Sequence, residues 1–386
     1  MVQRYKPNTG SAAMPSAPSA NTATPRATST RLPDSVDGVV LYCGDVNRRI
    51  ATLLVALLPV VVLGVLGSAV TVPFAALGPG PTFDTLGEVD GKPVVDVQGT
   101  DVDRPSGHLN MTTVAVRDEL TVFDALGLWL SGRQGLVPRD EIYPPDRSRE
   151  EVENANQADF AESEDSAELA ALDHLGLPTV LTVAQIGDDS PAAGVLEEGD
   201  RVTAIDGAPV STVADVQKAV GAVNPGTTIS VDVTRDGATT TENVTVAARP
   251  DDAERGYLGI TPDETPDVPF TVEFNLADVG GPSAGLMFSL AVVDKLSPGD
   301  LSGGAFVAGT GTIDADGVVG PIGGIPYKLV AAREAGATIF LVPADNCAEA
   351  APRTPEGLRL VKVTSLDDAI GSLDALAGGG DAPSCS

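Results

Sequence analysis

Two short stretches of the 386-residue sequence hold residue types that could do covalent chemistry. The first is GGPSAGL, residues 280–286, with Ser283 where a loop turns into a helix. Just upstream, FTVEFNL alternates, so Phe270, Val272, Phe274 and Leu276 share one face of a half-buried strand. Downstream, Pro282 suits a first helical turn, where its missing N–H leaves no partner unmet. Leu286, Met287, Leu290 and Val293 then form the apolar side of a helix reaching about Leu296. A serine at such a start has free backbone N–H groups and a positive dipole end beside it, as an oxyanion at an attacked carbonyl requires. The plain alternative is a small residue that only eases the turn.

Gly281-Pro282-Ser283-Ala284-Gly285 also fits GxSxG, the nucleophile elbow of the α/β-hydrolases, whose histidine follows the serine. This chain has two histidines, His108 and His174, both ahead of Ser283. That triad order is excluded, and each histidine reads as a structural polar residue. A nucleophilic Ser283 therefore needs another base. The second stretch, PIGGIPYKLVAAREAGATIFLVP at 321–343, supplies Lys328. Gly323-Gly324 makes a turn, Pro326 opens a helix, Gly336 ends it, and TIFLVP is a buried strand. Lys328, Ala331, Ala332 and Ala335 fall on one stripe of that helix, while Arg333 and Glu334 point elsewhere. An amine on an apolar stripe loses its proton more easily than a solvated one, and a neutral lysine can act as a base. A lysine that snorkels to water is the alternative.

The rest of the chain must position these groups. Residues 1–49, rich in Ser, Thr, Ala and Pro, are expected to be disordered. Residues 50–72 are uncharged and long enough to cross a bilayer of about 30 Å. A cleaved signal peptide normally has a shorter apolar region after a short basic start, so an uncleaved signal anchor is the favoured reading. A core helix is the remaining alternative. Arg48 and Arg49 at the edge of the run, with Arg4, Lys6, Arg26 and Arg31, put the N-terminus in the cytoplasm and everything beyond 72 outside it. The net charge of −30 argues against nucleic acid, and the excess of acid lies beyond the span. Three cysteines, without a CxxC pair, argue against a metal site. Cys347 and Cys385 fall in the oxidising compartment and Cys43 does not, which predicts a disulfide tying down a flexible tail at 377–386. Two free thiols are the alternative. Residues 73–175 read as an α/β region with strands around VVDVQG and GHLNMTTVAV, a helix over 121–131 and a charged helix within 147–175. Residues 176–250 read as a small β-rich domain with hairpins at Asp206-Gly207 and Asp236-Gly237 and a helix over 212–223.

Within that domain SPAAGVLEEGDRVTAIDG, residues 190–207, resembles a PDZ domain of the bacterial protease-associated kind. The resemblance implies that an extended peptide adds as a strand between the strand at 180–186 and the helix at 212–223. A spacer or internal regulator is the alternative. GGPSAGL and GPIGGIPYKLVAAREAGATIFLVP resemble the two signatures of Lon-type serine peptidases, across residues 251–376. This resemblance implies Ser283 as nucleophile, Lys328 as general base and Thr310, within AGTGTIDADG, as the residue that orients the amine. It also implies a ring-forming homo-oligomer. The chain departs from the family at Gly280, where many members carry an acid (Asp278 stands two residues earlier), and at Pro326-Tyr327, where ATP-dependent members are charged. No GxxxxGK[ST] loop exists to cradle ATP, and no cofactor is called for. The arrangement resembles a membrane-anchored subfamily with a PDZ domain. The expectation is a multidomain α+β protein: an N-terminal transmembrane helix, a β-rich PDZ domain and an α/β Lon-type proteolytic domain. Its expected activity is that of an ATP-independent serine endopeptidase cleaving polypeptides outside the cell membrane. The rival is an inactive binding scaffold in the cell envelope.

Overall fold

The computed structural model describes residues 2–4, 43–277 and 279–385. Of the segment expected to be disordered, residues 1 and 5–42 lie outside the described residues, as does Asp278. The chain divides into two compact units, one taking in the stretch to Ala76 with Arg117–Arg139, the other Leu77–Val116 with Asp140–Ser386.

In the first unit the apolar run forms α1 (Cys43–Ala69), of which Asn47–Ala69 is long and apolar enough to cross a membrane. The helix starts ahead of the expected Ile50, because helical hydrogen bonding belongs to the backbone and no proline interrupts residues 43–49. Beyond it, Val72 N–H donates to the Leu120 carbonyl and Val122 N–H to the Val70 carbonyl. Helix α2 (Val122–Ser131) follows, started by a Thr121–Asp124 capping box and ended by Gly132 in the left-handed conformation.

Strand β1 (Phe74–Asp84) leads into the second unit, followed by β2 (Val95–Gln98), β3 (His108–Arg117) and the long α3 (Arg149–His174). A Ser148–Glu151 capping box starts α3, and Phe160, Ser163, Ala167, Ala170 and Ala171 form its buried stripe. The chain then builds a small module from β4 (Thr179–Ile186), β5 (Arg201–Ile205), α4 (Val213–Gly221), β6 (Thr228–Arg235), β7 (Ala238–Thr245) and β8 (Ile260–Pro266). Its antiparallel sheet runs β7-β6-β5-β4-β8. Asp206-Gly207 and Asp236-Gly237 have positive φ, as the hairpin reading requires. The module has its own core, with Leu181, Val183, Val202, Ile229 and Val231. Beyond the expected boundary at residue 250, strand β8 extends the sheet to Pro266. The sequence ITPDETP does not alternate and carries two prolines, so it hides as a strand, yet an edge strand tolerates proline.

After the module come β9 (Thr271–Phe274), α5 (Gly285–Leu296), β10 (Phe306–Gly309), α6 (Ile325–Ala335), β11 (Ile339–Pro343), β12 (Arg359–Val363) and α7 (Leu366–Ala377). The main sheet runs β12-β11-β10-β3-β1, with β12, β11, β10 and β3 mutually parallel. Strand β9 pairs antiparallel with β2. The expectation that 73–175 forms a region of its own, separate from a domain at 251–376, is therefore corrected. Within the second unit β2, β3 and α3 belong to the same layers as α5 and β10, and the small module is an insertion between them. Phe306 pairs with His108, a partnership too distant in sequence to leave a local pattern. Phe288 of α5 fills the shared core between Phe160 and Phe274, at ring-centroid distances of 5.7 and 4.7 Å. At the far end Cys347 and Cys385 are disulfide-bonded, with Cα atoms 5.0 Å apart. The tail expected to be flexible runs beside β12, where Lys362 N–H donates to the Pro383 carbonyl at 2.9 Å and Arg359 pairs with Asp381 at 3.2 Å.

Candidate active site

Ser283 occupies the turn immediately before α5, whose first helical residue is Gly285 rather than Pro282. Gly281 makes the turn at φ 83°, and its N–H donates to the Asn156 carbonyl at 2.7 Å. Ser163 Oγ donates to the Pro282 carbonyl at 3.1 Å, so α3 holds the loop from one side. From the other, Gly311 N–H and Thr310 Oγ1 donate to the Ser283 carbonyl at 3.1 and 3.0 Å. Gly285 cannot take a side chain, because a Cβ there would lie 2.7 Å from Ile313 Cγ2. Among the described residues, the N–H groups of Ser283 and Ala284 donate to no backbone carbonyl.

Lys328 comes from the first turn of α6, which Gly324 opens in the left-handed conformation. Its side chain is fully buried, which rules out the snorkelling alternative. Nζ donates to Ser283 Oγ at 2.7 Å and to Thr310 Oγ1 at 2.8 Å. Burial lowers the Lys328 pKa from 10.5 to about 7. When the amine loses its proton, the contact with Ser283 can reverse, with the hydroxyl donating to the nitrogen lone pair. Thr310 still accepts from an amine N–H, while its own proton stays on the Ser283 carbonyl. The three residues named from the sequence therefore meet in one buried cluster. His108 and His174 do not join it: each bonds a carboxylate through Nδ1 at 2.6 Å, Asp84 and Asp367 respectively. Among the described residues no cluster of His, Cys, Asp or Glu could hold a metal ion.

Residues 152–246 match the PDZ domain family, and residues 276–373 match the Lon protease (S16) C-terminal proteolytic domain. The chain joins a PDZ domain to a Lon-type proteolytic domain. It is 40% identical over 76 residues to a probable periplasmic serine endoprotease DegP-like of Pseudomonas fulva, covering 19% of this chain and 16% of that one. It is 35% identical over 118 residues to the Lon protease of Phenylobacterium zucineum, covering 29% of this chain and 15% of the relative. It is also 35% identical over 123 residues to Lon protease 1 of Sorangium cellulosum, covering 31% and 15%. The chain thus spans only 15–16% of the length of these curated relatives. At Gly280 a Cβ would come 3.0 Å from Asn156 Cβ on α3, a tight contact that α3 would have to relieve by a few tenths of an ångström.

The PDZ groove differs from the expected one. Strand β4 at 180–186 is paired on both edges, with β5 and β8. The edge strand next to β4 is β8, and the cleft beside it is lined by Val216, Gln217 and Val220 of α4, by Gly256-Tyr257-Leu258-Gly259, and by Ile260 and Pro262. Glu264 of β8 accepts the Val213 N–H at the start of α4 and holds the two walls together. The sequence reading missed the loop at 256–259. Its signal was a pair of glycines with no room for side chains: a Cβ on Gly256 would lie 2.5 Å from the Val220 carbonyl oxygen, and one on Gly259 2.2 Å from Ser190 Cβ. It also missed Asn156 and Ser163, since nothing in a charged helix marks the residues that touch a loop 119 positions later.

Proposed function

We propose that this protein is a membrane-anchored, ATP-independent serine endopeptidase that cleaves polypeptides outside the cell membrane with a Ser283–Lys328 dyad. The observation that carries the reading is a fully buried amine 2.7 Å from the serine oxygen, with a pKa lowered to about 7. Neutral Lys328 takes the Ser283 proton as Oγ attacks the scissile carbonyl. The N–H groups of Ser283 and Ala284 receive the oxyanion. The lysine ammonium then protonates the leaving amine, and water, activated by the same amine, releases the acyl group from Ser283. Thr310 keeps Nζ aimed at Oγ. Helix α1 serves as the anchor, and the cleft between α4 and β8 takes an extended polypeptide end as an added strand. The family resemblance adds a ring-forming homo-oligomer as the working assembly.

The test uses the detergent-solubilised full chain, an unfolded polypeptide and no nucleotide. Cleavage should appear in the wild type and fall by at least about 10³-fold in Ser283→Ala and Lys328→Ala. Equal activity in all three would falsify the dyad. Inactivity of the wild type in every assembly state found in solution would instead support an envelope scaffold.

A further inference from the structure

Helix α2 carries an apolar face that the catalytic reading does not use. Phe123, Leu126 and Leu130, with Val122 and Trp129 alongside, follow helical spacing on one side, and all five are exposed; Trp129 is 66% and Leu130 69% accessible. The charged residue within α2, Asp124, is half-buried and occupied by the Thr121 cap, with Arg117 3.8 Å away. The face between residues 122 and 130 is therefore uncharged. Caps at Thr121 and Gly132 satisfy part of the backbone at each end, which lowers the cost of moving the helix out of bulk water.

What covers this face is indicated by its neighbour. The Phe123 ring lies over Gly67 of α1, so closely that a Cβ on Gly67 would be 2.6 Å from the ring. Val122 N–H bonds the Val70 carbonyl, and Thr71 bridges to Thr121. Gly67 lies inside the apolar run, about half a turn, or 3 Å, from the end of α1 at Ala69. The exposed apolar residues Leu66, in α1, and Val70, just beyond it, flank Gly67 and so lie beside the Phe123 contact that leads into α2. We propose that α2 is a second membrane element, lying in the lipid leaflet from which α1 emerges, with Trp129 at the boundary of acyl chains and headgroups. Its length, amphipathic character and terminal tryptophan suit that depth. This inference rests on the reading of α1 as a membrane span.

Trp129 is the chain's single tryptophan, so its fluorescence reports α2 directly. The full chain is reconstituted into phosphatidylcholine vesicles, with and without bromine at shallow acyl positions, and its membrane insertion is checked by resistance to alkaline carbonate. The expected result is blue-shifted emission, about twofold or greater quenching by the brominated lipid, and protection from aqueous iodide. Leu126→Asp with Leu130→Asp should abolish the bromine quenching while the chain remains carbonate-resistant. Carbonate extraction of the wild type would overturn the anchor and this inference together. A carbonate-resistant chain whose Trp129 is open to iodide and blind to bromine would overturn this inference alone. Shielding from both quenchers would overturn it in favour of a covering second copy.

Discussion

Lys328 is the residue on which most of the proposed chemistry depends, and its burial has opposite consequences for that activity and for stability. Its folded pKa, about 7, lies below the unfolded value of 10.5, so between those values the unfolded chain binds the extra proton. Stability attributable to this group therefore rises with pH from about 7 to 10.5 and is least below 7. Lys328→Met is expected to abolish cleavage yet raise the stability of the fold at pH 7 by about 1–2 kcal/mol, after allowing for the two hydrogen bonds lost. A denaturant melt at pH 7 and pH 10 checks both parts, since the gain should shrink at the higher pH. Cleavage by the wild type should climb through about pH 7 as the amine becomes neutral. A flat profile from about pH 6 to 9 would argue against Lys328 as the base. Thr310→Val removes an acceptor 2.8 Å from Nζ, and should cut kcat by about 10²-fold with little change in KM. These residues were legible because Ser283 and Lys328 each stand in a stretch whose turn, cap and apolar stripe can be read locally. Thr310 was legible only through the family resemblance, because nothing about AGTGT says that its hydroxyl faces an amine.

Helix α3 shows where local reading ends. Its sequence is so rich in Glu and Asp that it reads as a solvated rod, but its stripe of Phe160, Ser163, Ala167 and Ala171 is buried against α5 and touches the turn that carries Ser283. Burial raises Glu164 and Glu168 on this helix to about 7. These two carboxylates oppose folding above their unfolded pKa, and neutral replacements, Glu164→Gln with Glu168→Gln, should raise the melting temperature at pH 8 more than at pH 5. Ser163→Ala removes the bond to the Pro282 carbonyl and should cost about 1 kcal/mol of stability. If α3 positions the turn, the same change lowers kcat and spares KM; equal loss in both parameters would assign Ser163 a merely structural part. Edge strand β8 gives the complementary lesson. The helix of the PDZ domain and both of its hairpins were visible in their periodicity and Asp-Gly turns, whereas ITPDETP has no alternation and carries two prolines. With it unread, the expected groove was assigned to β4, which has no free edge.

At the scale of the molecule, the inserted PDZ domain enters and leaves through paired strands, with Thr179 opposite Pro266. Excising 179–266 and closing the gap with a short Gly-Ser turn should therefore leave cleavage of short peptides within about twofold of wild type and weaken cleavage of long polypeptides. Loss of both activities would mean that the insertion supports the catalytic fold itself. The Cys347–Cys385 disulfide closes 38 residues around β12 and α7. Replacing both cysteines with alanine is expected to cost about 2–4 kcal/mol, read as a fall in denaturation midpoint that reductant reproduces in the wild type. The same discontinuity also sets an order of events. Strand β3 waits for β10, whose paired residues follow the entire PDZ domain, and both Ser283 and Lys328 come after it as well. The PDZ domain, rich in nearby hairpin contacts, can close first; the catalytic sheet, dominated by distant partners, closes late and slowly. On the proposed function, a nascent chain is thus harmless to its neighbours until nearly all of it has been made, because no N-terminal fragment that stops short of Lys328 can assemble the dyad.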